Sequence, residues 1–297
     1  MFKNKILRRI EQLDPETDHW EIVRLSVFYE FPWDFNRSLE LALYKTFAVP
    51  SIAKILSGSG EFENHAQKRY DDTDIILSEI IEYGLKDGRG KEALERLNWI
   101  HSHYPITNED YIYVLSTFVF DSGRWINKYS YRKLTDKEEQ SGYKVWVEIG
   151  EAMGIQNIPA TLEKLREYNV NYEKKHFVYS DANRKVAQAT ENLMLSWYLP
   201  KVFHELARPF LHAIMDENLL KAFGYENPHP VLRFMANNAL QIRGKIAGLF
   251  PRSTPFLRTT MFKHRAYPKG YEIKDLGPDK LKKNCPYHAV KAAVKNA

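Results

Sequence analysis

Apolar positions along this chain recur at helical spacing, and no alternating run is long enough to demand a strand. Residues 2–13 and 17–30 read as two short helices around Asp14-Pro15, with Asp14 capping the second and Pro15 in its first turn. Trp33, Leu39, Leu41, Ala42, Tyr44 and Phe47 carry a helix over 33–48. Pro50 restarts a shorter one, which stops at Ser57-Gly58-Ser59-Gly60. Two helices are then predicted over 63–83 and 90–104, separated by Tyr83-Gly84 and Gly88-Arg89-Gly90. The run 108–128, with Tyr111, Ile112, Val114, Leu115, Phe118, Val119, Phe120 and Trp125, predicts a central core helix. It is entered through Thr107-Asn108-Glu109-Asp110, a near capping-box pattern. Thr135-Asp136-Lys137-Glu138 is a full capping box and opens a helix to Met153. Residues 160–174 read as a surface helix, 181–198 and 200–214 as two helices hinged at Pro200, and 216–223 and 230–249 as two more. From Pro251 onward the chain is rich in Pro, Gly, Arg and Lys and reads as an irregular tail packed over the body. The pattern predicts an all-α protein of about ten helices, one domain over 1–297.

Within 63–83, His65, Arg69 and Thr73 recur one turn apart and run into Ile76 and Ile80. Either the first half is solvated and the second buried, or these polar groups line a pocket. Within 90–104, Leu94, Leu97, Ile100, His101 and Tyr104 share a stripe, so His101 points inward. His103 lies about 200° around the same helix, nearer Glu92, Arg96 and Trp99, so the two histidines do not ligate one metal together. On the pattern alone, His101 is a core histidine or a ligand. His204, Arg208 and His212 share a face of 200–214 with no carboxylate beside them, and read as exposed or hydrogen-bonded.

Composition narrows the chemistry. The 18 Tyr, 16 Phe and 6 Trp suit an apolar, rigidly walled pocket. A net charge of +5 without any long run of like charge argues against a nucleic-acid partner. The lone Cys285 excludes a cysteine zinc site and an internal disulfide, and fits a reducing, cytoplasmic compartment. Any metal therefore rests on His, Asp, Glu or Tyr. The N-terminus is basic without the apolar stretch of a secretory signal, and its first helix is a candidate for lying on a membrane surface. No stretch approaches the about 18 apolar residues of a membrane span. Glycine-rich nucleotide loops and His-Glu-x-x-His are absent; after His204-Glu205 the second histidine position holds Arg208.

Several strings together carry a resemblance. Arg69-x-x-x-Thr73 is followed by Leu97-Asn98-x-Ile100-His101-x-x-Tyr104 and by Ile106-Thr107-Asn108-Glu109-Asp110-Tyr111-x-Tyr113-x-Leu115. Then come Arg124-Trp125-Ile126, Tyr131-Arg132-x-Leu134-Thr135-x-x-Glu138 and Gly150-x-x-Met153-Gly154-Ile155. The tail contributes Tyr267-Pro268-x-Gly270-Tyr271-x-Ile273-x-x-Leu276-Gly277-Pro278. Over residues 40–280 the chain resembles the family that joins the latex-clearing rubber oxygenases with the mpaB-type oxygenases, and is closer to the mpaB branch.

The resemblance implies an all-α fold with a globin-like core, a b-type haem, and dioxygen as co-substrate for oxidising or cleaving an apolar, unsaturated, isoprenoid-like molecule. Carried over residue by residue, His101 is the axial iron ligand, with His103 second choice. Arg69 and Thr73 match the distal segment, Arg69 to hold an oxygen species or a haem propionate and Thr73 to donate a hydrogen bond. Asp72 stands where rubber oxygenases place a lysine, and is expected to pair with Arg69 or relay a proton. Their separate pocket glutamate has no match, so polyisoprene is not the expected substrate. The N-terminal membrane anchor of the fungal branch is not expected here. The aromatic residues of 108–128 are expected to wall the substrate pocket. A haem-binding sensor or carrier without oxygenase activity, and a structural all-α protein, are the alternatives.

Overall fold

A computed structural model describes residues 5–282. The fold is all-α: the described residues form α-helices joined by turns, a π-helical turn and two short 3-10 turns, with no strand among them. Cys285 lies outside the described residues. The described chain divides into two compact units, 5–59 with 107–256, and 60–106 with 257–282.

The first unit is built on the helix Asn108–Tyr129. Thr107 caps it by accepting a hydrogen bond from the Asp110 amide at 3.1 Å. Pro32–Thr46, Asp136–Ala152 and Leu162–His176 pack against it. Its rings are used in that core: Phe118 stacks on Trp146 with centroids 4.6 Å apart, and Tyr113 on Tyr172 at 4.5 Å. The capping box at Thr135 forms as predicted. Its Glu138 also accepts from Arg132 and from Ser26, so one buried carboxylate closes a helix start and ties it to two other segments.

Three local expectations change. Asp14 is not a helix cap: its side chain accepts from the Glu16 amide at 2.9 Å, residues 14–17 turn, and the helix begins at His19. Asx-type turns compete with caps for the same residue types, which is why the two look alike in sequence. Helix Lys5–Gln12 buries Ile10 against Leu13 and Ile22, so its apolar side is committed to the core and is not offered to a membrane. Finally, His204 and His212 are buried, and a carboxylate does reach their face from another helix. Glu191 lies 3.1 Å from His212 Nε2, accepts from Arg208 Nη1 at 2.5 Å and accepts from the Tyr44 hydroxyl at 2.5 Å.

The second unit contains the two helices Ala66–Tyr83 and Gly88–His101. The expected helix over 63–83 is broken at His65, whose φ of −136° separates a single turn, Glu61–Asn64, from the long helix. The second helix ends at His101, with a turn over 102–104. Between them the chain reverses at Gly84, φ 83°, and a Cβ on Gly90 would collide with the Gly84 carbonyl, so both positions require glycine. The described part of the tail packs onto this pair, as expected, through short turns at Arg258–Met261 and Ile273–Asp275, and a last turn follows at Asp279–Lys282.

Candidate functional site

One side of helix Ala66–Tyr83 is strapped by the tail. Asp71 accepts from the Ala266 amide at 2.7 Å, and Glu82 from the Thr259 amide at 3.1 Å. Asp72 accepts from Lys68 Nζ at 2.7 Å and from the Tyr267 hydroxyl. Asp74 accepts from Arg258 Nη2 at 2.6 Å and lies 2.9 Å from His264 Nε2. Burial opposes the Asp74 charge, but His264 and Arg258 outweigh it and hold its carboxyl below the ordinary aspartate range. Glu79 accepts from the Tyr271 hydroxyl at 2.7 Å and from Arg89. The strap also reaches back through its carbonyls: Gly277 accepts from Lys68 at 2.6 Å, and Leu276 from Arg96 Nε of the neighbouring helix at 2.8 Å. Charged side chains along one helix face thus fix its rotation about its own axis.

Arg69 and Thr73, one turn apart, are engaged with each other. Arg69 Nη1 donates to Thr73 Oγ1, and the Thr73 hydroxyl donates back to the Arg69 carbonyl at 3.1 Å. The guanidinium lies over the Phe62 ring, 5.6 Å from its centroid. His101, at the end of the second helix, is held neutral. Burial first, and then the Arg69 charge, push its imidazole down to about 4. The same guanidinium acts on Tyr104, whose phenol burial raises against the pull of Arg69, and on Glu61. Arg69, Thr73 and His101 therefore share one environment with Glu61, Phe62 and Tyr104. Of the last three, only Tyr104 lay on the predicted stripe. Glu61 and Phe62 sit beyond the break at His65, for which the sequence carries no local signal.

Two other expected residues turn elsewhere. His103 is exposed, its Nδ1 2.7 Å from the Trp99 carbonyl oxygen and its ring edge-on to Trp99 at 4.7 Å. Asp72 is buried and takes Lys68 as its ion-pair partner in place of the expected Arg69, although its charge still acts on the Arg69 guanidinium. Among the described residues no group of three or more His, Cys, Asp or Glu side chains is placed to hold a metal ion. The first unit contains a partly open cavity of about 130 Å³ lined by Val27, Phe31, Phe35, Phe118, Ile126 and Trp146, among others; none of the site residues lines it.

Among the described residues no helix is long and apolar enough to cross a membrane. Residues 40–240 match the family model described as "ER-bound oxygenase mpaB/B'/Rubber oxygenase, catalytic domain". The chain is 31% identical over 220 residues to the ER-bound oxygenase mpaB' of Penicillium brevicompactum, covering 68% of this chain and 52% of that protein. It is 29% identical over 229 residues to the ER-bound oxygenase mpaB of Penicillium roqueforti, covering 71% and 76%. A third relative, the ER-bound oxygenase mpaB of Penicillium brevicompactum, is 30% identical over 188 residues, covering 57% and 48%. The match thus spans about half the length of two of these three relatives. With two thirds of its residues inside the family model, the chain belongs to the mpaB and rubber oxygenase catalytic-domain family, a family of oxygenases.

Proposed function

We propose that this protein is a haem-dependent oxygenase acting with dioxygen on a small apolar, unsaturated substrate of isoprenoid type. The observation that carries the reading is the pairing of a neutral His101 with the partly buried charge of Arg69, inside a chain that belongs to an oxygenase family. A neutral imidazole is the form that ligates iron, and one such ligand suffices where a porphyrin brings four nitrogens of its own. The donor set fits such a group: His101 for the iron, and Arg69 as a cation suited to a carboxylate of the macrocycle.

When bound, the haem supplies the activation of dioxygen. The chain's own residues supply position and charge. Arg69 holds a fixed positive charge next to His101, and its orientation is set by Thr73 and by the Phe62 ring. The Thr73 hydroxyl is already given to the Arg69 carbonyl, so it donates to a bound ligand only by leaving that bond. Asp72, held by Lys68 and Tyr267, works on this reading as an anchor of the helix and as a counter-charge sensed by Arg69. A cytoplasmic location belongs to the same proposal, and fractionation of cells expressing the full chain tests it.

The central test is the absorption spectrum of the purified protein after haem reconstitution, together with oxygen uptake on adding prenylated substrates. A Soret band lost in His101→Ala and kept in His103→Ala is the expected outcome. No Soret band in the wild type overturns the haem reading, and a band without oxygen uptake on any prenylated substrate favours the carrier or sensor.

A further inference from the structure

Two helices of the first unit face the opposite way from ordinary surface helices, which put apolar residues inward and polar residues outward. On His204–His212 the inward side chains are His204, Arg208 and His212, the latter two on Glu191, while Leu206 faces outward at 74% exposure beside Phe210. The turn before it adds Val202, 80% exposed, and Phe203.

Pro230–Ala247 repeats the inversion. Its inward face carries Leu240 on the Phe31–Trp125–Tyr129 cluster and is otherwise largely polar or small: Arg233 donates to the Met215 carbonyl at 2.7 Å, Asn237 accepts from the Tyr129 hydroxyl at 2.6 Å, and Arg243 donates to Asp34 at 2.6 Å. Gly244 lies so close to the Tyr129 carbonyl that a Cβ there would collide with it. Val231, Phe234, Met235, Ile242 and Ile246 return at helical spacing on the outward face, with Phe234 70% exposed. Leu249 and Phe250, 74% and 75% exposed, continue that face beyond the helix end. The two helices pack against each other, so the two apolar faces belong to neighbouring elements.

Apart from Glu205, the charges along these two helices and the turn before them have one sign. Residues 227–256 contain Arg233, Arg243, Lys245 and Arg252 and no Asp or Glu. Lys245 and Arg252 are exposed, as is Lys201 at the start of the first helix pair. The carboxylate on His204–His212, Glu205, is paired with Arg208 at 2.8 Å. An apolar patch of this extent marks a contact surface. A second copy of the chain, seated face to face, would set these lysines and arginines against their equivalents. Aromatic and aliphatic side chains rimmed by unopposed cations match instead the boundary between acyl chains and anionic headgroups.

We propose that this face docks on the surface of an anionic lipid bilayer, with Phe234, Ile242, Leu249 and Phe250 entering the acyl boundary and Lys201, Lys245 and Arg252 meeting the headgroups. The docking is peripheral and does not depend on the oxygenase reading.

Cosedimentation of the full chain with phosphatidylcholine vesicles, with and without phosphatidylserine, tests it. The wild type is expected to pellet with the phosphatidylserine vesicles and to be released by salt. Phe234→Asp with Leu249→Asp should weaken partitioning by about tenfold or more, and Lys245→Glu with Arg252→Glu by about fivefold or more. Circular dichroism melts within a few degrees of wild type confirm that the variants fold. Either pair unfolding calls for Phe234→Ser with Leu249→Ser, held to the same tenfold expectation. The proposal is overturned if the wild type stays in the supernatant with phosphatidylserine vesicles at low salt. It is equally overturned if it pellets with both vesicle types independently of salt, if the folded variants partition like wild type, or if light scattering shows a dimer that these substitutions dissociate.

Discussion

His101 and His212 are both histidines turned inward at the end of a helix, and they are held in opposite ways. His212 lies 3.1 Å from the buried Glu191, is stacked on the Tyr225 ring at 4.2 Å, and shares Glu191 with Arg208 and Tyr44. Glu191 thus gathers Tyr44, Arg208 and His212 onto one buried carboxylate. His101 faces a cation, and burial and that cation drive its proton off. The same residue type is a structural tie where a carboxylate meets it, and a neutral imidazole where an arginine does. Charge of the neighbour, and not burial alone, separates the two.

The largest expected difference between the two histidines is in haem binding. His101→Ala is expected to abolish the Soret band of the reconstituted protein, whereas His212→Ala should preserve it and lower the melting temperature; retention of the band in His101→Ala would erase the distinction. Next in size, Glu191→Ala strips a counter-charge from Arg208 and a hydrogen-bond partner from His212 and Tyr44. It should cost about 3–5 kcal/mol in urea unfolding, the range for removing one partner of a buried ion pair.

Acid sharpens the contrast further. In the haem-free protein the folded His101 takes a proton only near about 4, against 6.5 for an ordinary histidine, so the unfolded chain binds that proton first. Stability from this residue is complete above about pH 6.5 and declines as pH falls toward 4, by at most about 3 kcal/mol. NMR titration of the imidazole reads the folded value directly, and Arg69→Met should raise it by removing the second of its two causes. The smallest effect belongs to the strap. Tyr267→Phe removes one hydrogen bond from Asp72 but leaves Lys68, and should cost about 1 kcal/mol in thermal unfolding.

What was legible in the sequence was local. The caps at Thr107 and Thr135 rest on contacts three residues apart, and the inward direction of His101 follows from helical phase. What was not legible was the identity of partners brought from far along the chain. His204, Arg208 and His212 looked unpaired because Glu191 lies on a different helix, and the Tyr267 hydroxyl that meets Asp72 comes from 195 residues away, whereas its ion-pair partner Lys68 was within local reach at four residues. The break at His65 escaped for a related reason, since its neighbours carry no proline or glycine to announce it. Helical phase tells which way a side chain points; it does not tell what it meets.

The strap has a practical corollary for where this catalytic module ends. The homologous region recognised by the family model stops at residue 240, before Arg258, Thr259, Ala266, Tyr267 and Tyr271. A chain trimmed to that limit keeps Arg69, Thr73 and His101 yet strips Asp71, Asp72, Asp74, Glu79 and Glu82 of their partners in the tail, leaving Asp72 with Lys68 and Glu79 with Arg89 but Asp74 and Glu82 without the groups that now meet them. Crowded carboxylates on one helix repel one another once unmatched. The least divisible stretch of this protein is therefore not the contiguous homologous block but the pairing of residues 66–101 with residues 257–282, and any expression boundary or fusion junction belongs beyond the latter.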